Sequence, residues 1–363
     1  MEKKIIESLK IKDLTDKQNG IHAINLIVDK IYEGLKDKGY LPEIQRSNPI
    51  TTIINNYDRL YIEKDNPSRL PRYTRYIDDK TMLRTHTSSM IPDILSSKKE
   101  DYYTILCPGI CYRRDVVDKT HCGEPHQMDI WVVKNDKNKL NRKDLIQLIK
   151  DIMEIVGISY EYRLIETSHP YTINGLEVEI KTKNGWMELL ECGEINPLLL
   201  NDANLDINSY SGLALGIGLD RLIMLLKDID DIRILRSDDS RIKSQMENLD
   251  KYVSVSKYPA IRRDLSISVN KDLNEEDICE RIQDILEDKS VIEEICIVSE
   301  TDYKDLPEIA IKRLNISENQ KNVLLKIIIR SHNRSLTQEE ANDISKKIYM
   351  VLDEIESGGY ISK

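Results

Sequence analysis

The chain has 363 residues, enough for two or three domains with cores of their own. Apolar residues make up 40% and charged residues 32%, and no apolar run approaches the length of a membrane-spanning helix. The net charge of -10 excludes a generally basic nucleic-acid-binding chain, so any such contact needs a local basic face.

Residues 1–19 read as an N-terminal extension, with neither a secretory signal nor an acid-poor transit peptide. Residues 20–37 carry Ile21, Ile24, Leu26, Ile27, Ile31 and Leu35 at helical spacing, with Gly39 as the expected stop. An extended stretch is expected between residues 49 and 60. Strands are predicted over 103–114 and 128–134, joined by the polar loop DVVDKTHCGEP. A helix over 140–156 precedes strands near 158–166, 176–181 and 187–192. Residues 213–226 read as a glycine-rich strand running into a helix. The order predicts an α+β fold, an antiparallel sheet flanked by helices, over residues 20–246. The charged stretch 236–251 reads as a connector. Residues 252–363 predict a second domain: strands at 264–269, 292–298 and 322–329 with helices at 274–286 and 338–355, the content of a ferredoxin-like sandwich.

Three blocks carry chemistry. CYRRDVVDKTHCGEPHQMDIW (111–131) puts two Arg at a strand end before a polar loop. Guanidinium groups pair with phosphate in a bidentate way, although a solvated hairpin has the same appearance. GLALGIGLDRLIMLL (212–226) alternates small residues that admit a ligand close to the backbone, then presents Arg221 at a helix start. It is not the dinucleotide-binding glycine pattern. MLRTHTSSM (82–90) offers a His followed by hydroxyls. The six Cys lack the paired short spacing of a zinc site or a disulfide framework, which fits a reducing compartment and a cytoplasmic location.

Together and in this order, the blocks resemble class II aminoacyl-tRNA synthetases, and most of all the single-chain mitochondrial phenylalanyl type. KGYLPEIQRSNPI (38–50) resembles the first signature, and NYDRLYIEKDNPSR (56–69) an NFD…HPxR stretch. LRTHTS (83–88) is an unbroken match. WMELLECG (186–193) resembles WLEVLGCG, and GLALGIGLDRL with DIR (231–233) resembles motif 3 and its continuation. YPAIRRDLSISV (258–269) and SHNRSLTQEE (331–340) resemble the C-terminal anticodon-binding module.

The resemblance implies ATP-dependent activation of phenylalanine, or a related aromatic amino acid, and its ligation to tRNA, with Mg2+. It places Arg113 on the α-phosphate and Arg221 against adenine and γ-phosphate, with Asp115, His121, Pro125 and Glu188 completing the ATP site and Glu188 holding the metal. It assigns His86, Thr87, Ser88, Gln127, Asp129, His169, Tyr171 and Ala214 to the amino acid. For tRNA it points to Lys257, Arg262, Arg263, Arg330, His332 and Arg334, each of which also reads as ordinary surface charge. A monomer or a homodimer and no membrane partner are implied.

Departures from the family pattern cluster at ligand positions. Pro125 replaces an adenine-stacking Phe, Asp115 and Asp129 replace Glu, and HPYTIN (169–174) replaces FPFxEP, including Asn174. The whole chain has no Phe and 18 Tyr, where average usage predicts about a dozen Phe. Ile, Lys and Asn richness indicates AT-rich coding, which raises Phe. Tyr, Leu, Ile and Met fill comparable core volume. Two explanations compete: a phenylalanine ligase that avoids needing its own substrate, or a pocket retuned for a more polar aromatic amino acid. A paralogue acting as a tRNA or amino-acid sensor is the reading from another class. Joint retention of Arg113, Gln127, Glu188 and Arg221 argues for the enzyme.

Overall fold

A computed structural model describes residues 2–114, 118–183, 185–237, 239–254, 258–331 and 333–352, with side chains from residue 5 onward. It divides the chain into two compact units. The first comprises Met1–Arg113, Glu124–Ile229 and Lys243–Tyr252, and the second Arg114–Gly123, Asp230–Ile242 and Val253–Lys363.

The first unit is built on a seven-stranded sheet. Its strands are β1 (Pro42–Ile44), β4 (Tyr102–Ile110), β5 (His126–Asn135), β6 (Tyr162–Glu166), β7 (Thr172–Thr182), β8 (Gly185–Ile195) and β9 (Tyr210–Gly218). The spatial order is β1-β4-β5-β9-β8-β7-β6, and every neighbouring pair is antiparallel except β1 with β4. Strands β2 (Ile50–Thr52) and β3 (Thr81–Leu83) form a separate pair. The extended expectation for 49–60 holds only for β2. Thr52 Oγ1 accepts the Asn55 N–H at 3.0 Å and starts a short helix, Ile53–Asn56.

One face of the sheet is covered by helices. Helix Ala23–Asp37 starts two residues past the exposed Ile21, because His22 Nδ1 accepts the Ile24 N–H at 3.1 Å and Asn25 closes the capping box. Helix Arg142–Val156 has the same device at Asn141 and ends at Gly157, whose φ of 82° favours glycine. Residues 1–19 are part of this unit: Leu14 N–H donates to His126 Nε2 at 3.0 Å, and Arg46 holds the Thr15 hydroxyl at 2.7 Å.

The connector expected at 236–251 is instead divided. Residues 243–252 return to the first unit, where Lys227 is fully buried and its ammonium donates to the Asn248 carbonyl at 3.0 Å. Residues 230–242 belong to the second unit, as does the loop tip 114–123: Ile232 N–H donates to the Lys119 carbonyl at 2.7 Å. The charge run misled because its buried apolar residues, Ile242 and Met246, are single anchors in short helical turns.

The second unit has three antiparallel strands, β10 (Ile261–Asn270), β11 (Ile292–Asp302) and β12 (Gln320–Ile329), in the order β10-β12-β11. Helices Glu275–Ile285 and Gln338–Leu352 pack on one face through Ile278, Ile282, Ala341 and Ile348 against Leu265, Ile267, Leu325 and Ile327. An unpredicted helix, Glu308–Leu314, sits before β12. Among the described residues, no helix is long and apolar enough to cross a membrane.

Candidate active site

Strand alternation sorts the chemistry of the first unit onto the sheet face opposite His126 and Asp220. Gln127, Asp129 and Trp131 share one face of β5, and their partners on β9 are Gly218, Gly216 and Ala214. Glu191 on β8 pairs with Gly216, and Gly193 with Ala214. Glycines on this face play two roles. A Cβ at Gly193 falls within 2.7 Å of Thr172, and one at Gly212 within 2.6 Å of the Val132 carbonyl oxygen, so both are glycine for packing. At Gly216 and Gly218 a Cβ meets nothing within 4 Å. The face is therefore closed around β9's start and open over its end, beside Asp129 and Gln127.

The 82–90 segment faces this opening. Asn56 pins it by accepting the Thr85 N–H at 3.1 Å and donating to the Thr85 hydroxyl at 2.8 Å. Thr87 and Ser88 then both donate to Asp129, Ser88 at 2.8 Å, and Trp131 Nε1 adds a third donor at 3.1 Å. Burial raises the Asp129 pKa, while these three donors oppose it. His86 is the contrary case. Burial, then the Arg113 guanidinium, push its pKa down to about 3, with the Asn56 backbone opposing. Neither ring nitrogen meets a partner of hydrogen-bond geometry among the described residues. The residue is half-buried, its imidazole is neutral, and both ring nitrogens are shielded from solvent.

Arg113 and Arg221 stand at the same end of the sheet. Arg113 lies three residues past β4, where Ile110 pairs with His126, and its Nε donates to the Thr85 carbonyl at 3.0 Å. Arg221 lies three residues past Gly218, in the first turn of helix Leu219–Lys227, 3.4 Å from Glu188 Oε2. Beneath them His126 is fully buried, its Nδ1 3.2 Å from Asp220 Oδ1 while Nε2 accepts from Leu14. This pair ties β5 to the helix that carries Arg221. Burial raises the Glu177 pKa, and the neighbouring Glu188 and Glu191 raise it further.

Residues 8–246 match the class II core domain (F) of tRNA synthetases, and residues 256–356 match the ferredoxin-fold anticodon binding domain. The chain belongs to the class II tRNA synthetases. Among curated relatives, a chloroplastic/mitochondrial phenylalanine–tRNA ligase of Arabidopsis thaliana is 30% identical over 342 residues, covering 90% of this chain and 75% of the relative. A probable mitochondrial phenylalanine–tRNA ligase of Drosophila melanogaster is 27% identical over 391 residues, with 90% and 82% covered. A phenylalanine–tRNA ligase alpha subunit of Acaryochloris marina is 35% identical over 228 residues, covering 63% of this chain and 67% of that subunit.

Two of the synthetase's departures from its family, His169 and Tyr171, lie at the Trp131 end of this face. Tyr171 stacks on Trp131 with ring centroids 6.2 Å apart, and His169 tilts against Tyr171 at 5.6 Å. Ala214 is buried in the same cluster. Asn174 leaves this group: it has φ 52° and donates to Glu194 at 3.0 Å. Pro125 begins β5's approach, its carbonyl accepting the Cys111 N–H at 2.8 Å. His169 Nε2 is 3.1 Å from Glu191, which raises the histidine pKa above its ordinary 6.5 despite desolvation. Stability from this pair is therefore full below that value and lost as pH rises through the raised pKa. His169→Gln is expected to lower Tm at about pH 6 and to change it little at about pH 9. Thermal melts of both proteins across that range check this, and a pH-independent difference contradicts the pairing.

The second unit holds the remaining candidates. His121 sits in the loop tip with Nδ1 3.1 Å from Asp118. Arg262 is 65% exposed and pairs with Asp264, Arg330 pairs with Glu293, and Arg334 pairs with Glu340. Arg263 differs. It is buried on the helix-facing side of β10, where it donates to Gln338 at 2.7 Å and Asn342 at 2.8 Å, so it anchors helix Gln338–Leu352. Period-2 alternation puts it opposite Arg262, a signal present in RRDLSISV. Asp115, Lys257 and His332 lie outside the described residues. Trp131, Glu191 and the His126–Asp220 pair were not singled out from sequence. Their parity with Gln127 and Asp129 was the available signal for Trp131, but the partners of the others come from distant strands.

Proposed function

We propose that this synthetase activates phenylalanine with ATP and transfers it to a tRNA. The observation that carries the reading is the convergence of Arg113, Arg221 and Gln127 at the sheet end where Gly216 and Gly218 leave open space. In such a reaction the amino acid's carboxylate attacks the α-phosphorus and pyrophosphate leaves. Charge develops on the phosphate oxygens, so fixed cations do most of the work. Arg113 is the α-phosphate ligand and Arg221 the nucleotide clamp. His86, Ser88, Gln127 and Asp129 receive the amino and carboxylate groups.

Magnesium fits Glu188 as a substrate-linked ion. Among the described residues no group of three or more His, Cys, Asp or Glu side chains is placed to hold a metal alone. Mg2+ commonly takes one or two carboxylates and fills its shell with phosphate and water. When bound there, it supplies charge neutralisation of the departing pyrophosphate. Arg221 beside Glu188 holds that carboxylate at the nucleotide end.

Two assays test the reading together. ATP–pyrophosphate exchange across phenylalanine, tyrosine and other aromatic amino acids is expected to favour phenylalanine; preference for a hydroxylated ring selects the retuned pocket that His169 and Tyr171 raise. A phenylalanine substrate also accounts for the Phe-free composition, since such a chain is made while its own charged tRNA is scarce. Charging of purified tRNA separates enzyme from sensor. The candidate cations Arg262, Arg330 and Arg334 already sit in ion pairs. With about three phosphate contacts, log K for tRNA falls with log salt at a slope of about -2 to -3. A flat salt dependence contradicts an RNA partner.

A further inference from the structure

We infer that Arg75 is a positioning residue for the activation step, the side chain that holds Arg113 in place at the end of β4. This rests on the reading that Arg113 is the α-phosphate ligand. The need for such a residue comes from where Arg113 stands. The β4–β5 ladder ends with Ile110 opposite His126, and one backbone bond follows, from the Cys111 N–H to the Pro125 carbonyl at 2.8 Å. Past it the two strands part. The Tyr112 N–H turns to the Arg84 carbonyl at 2.8 Å, and residues 114–123 belong to the second unit. Arg113 is thus the last residue of the first unit on one side of this excursion, and Glu124 the first on the other. A strand end past its last ladder bond frays unless side chains fix it.

Arg75 joins the two ends with one guanidinium. Its Nη2 donates to the Arg113 carbonyl at 3.0 Å, and its Nη1 lies 2.5 Å from Glu124 Oε1. Nη1 also donates to the hydroxyl of Ser8, a buried residue of helix Glu2–Leu9, at 2.7 Å. The guanidinium carbon is 5.9 Å from the ring centroid of Tyr112, the buried neighbour of Arg113. Arg75 is itself held, because its carbonyl accepts the Leu83 N–H at 3.0 Å and its side chain is only 19% exposed. The same segment runs on to Thr85, whose carbonyl takes the Arg113 Nε. Arg113 is therefore gripped at its main chain by Arg75 and at its side chain by Thr85. The fork geometry matters here. A guanidinium reaches a carbonyl and a carboxylate at once along fixed directions, whereas an ammonium reaches as a single point. Without that fork the Arg113 main chain is free to shift, and a misplacement of about 1 Å costs about a hundredfold in rate.

The test is a double-mutant cycle read by ATP–pyrophosphate exchange of the full chain. Arg75→Ala is expected to lower kcat by about ten- to a hundredfold. The KM for phenylalanine is expected to stay within about threefold, because Ser88 and Gln127 are held by Asp129 and the β5–β9 ladder. Arg75→Lys is expected to recover part of the loss in kcat. In an Arg113→Ala background, Arg75→Ala is expected to cost less than about threefold more, since no guanidinium is left to position. Losses that multiply in the double variant make Arg75 a general brace and overturn the inference, as does full exchange in a folded Arg75→Ala protein. If Arg75→Ala melts below the assay temperature, Arg75→Lys takes its place in the cycle with the same two outcomes. Arg113→Ala alone tests the underlying reading: unchanged exchange there refutes the α-phosphate ligand and the inference with it. A large loss there beside full exchange in Arg75→Ala refutes the role of Arg75 alone. Should wild type exchange with a different amino acid, the phenylalanine reading fails alone, and the same cycle with that amino acid decides the role of Arg75.

Discussion

Arg221→Ala is expected to lower ATP–pyrophosphate exchange by about a hundred- to a thousandfold, the usual loss when one fixed donor to developing charge is removed. The position makes this a chemical loss. Arg221 projects from the first turn of its helix, while the residues around it that hold the helix, Leu219, Leu222 and Ile223, are buried. Its side chain is 31% exposed and stands 3.4 Å from Glu188. Deleting it leaves the apolar packing intact, so Tm shifts little. The comparison variant is Asp220→Asn. Asp220 is nearly buried against His126, and its loss loosens the link between β5 and the helix. That variant is expected to lower Tm and exchange together. Exchange retained within about threefold in Arg221→Ala shows that the nucleotide lies elsewhere.

Gly216→Val and Gly212→Ala are expected to fail in opposite ways. At Gly212 even one methyl meets the Val132 carbonyl oxygen at 2.6 Å, which forces strand β9 off β5 and costs about 1–3 kcal/mol of stability. At Gly216 a Cβ enters open space, and the backbone is not in a conformation that requires glycine. Gly216→Val therefore folds, but its side chain occupies the space between Asp129 and Glu191, where the proposed reaction takes place. A misplacement of about 1 Å at a reacting centre costs about a hundredfold, so exchange drops at least that much with Tm preserved. Thermal melts and exchange assays on both variants separate the two glycines. If Gly216→Val keeps full exchange, the cleft is not over β9.

Most strands and the main helices were legible because their signals are local. Apolar spacing in GIHAINLIVDKIYEGLKD leads to helix Ala23–Asp37, and LALGIGLDRLIMLL reads as a strand entering a helix, which is what β9 and Leu219–Lys227 form. The segment 53–60 was misread as extended because its helical turns are too short for periodicity, and the Thr52 cap is one hydrogen bond. Arg263 was misassigned to a surface because two adjacent arginines look alike in sequence, although a strand must send them to opposite faces. The division of 230–252 between the two units has no periodic signal, because its buried side chains, among them Ile232, Leu235, Ile242 and Met246, sit in short helical turns.

By itself, the amino-acid sequence determined the α+β organisation and the order of a class II synthetase core followed by a ferredoxin-like fold. Those properties follow from spacing and residue chemistry within short windows. Only the tertiary structure decided which glycines are open, that Trp131 and Tyr171 close one end of the face, that His126 supports Asp220 beside Arg221, and that Arg263 serves packing. Each of these depends on strand register across residues tens of positions apart, and register is set by the burial of a whole face at once rather than by any local run of residues.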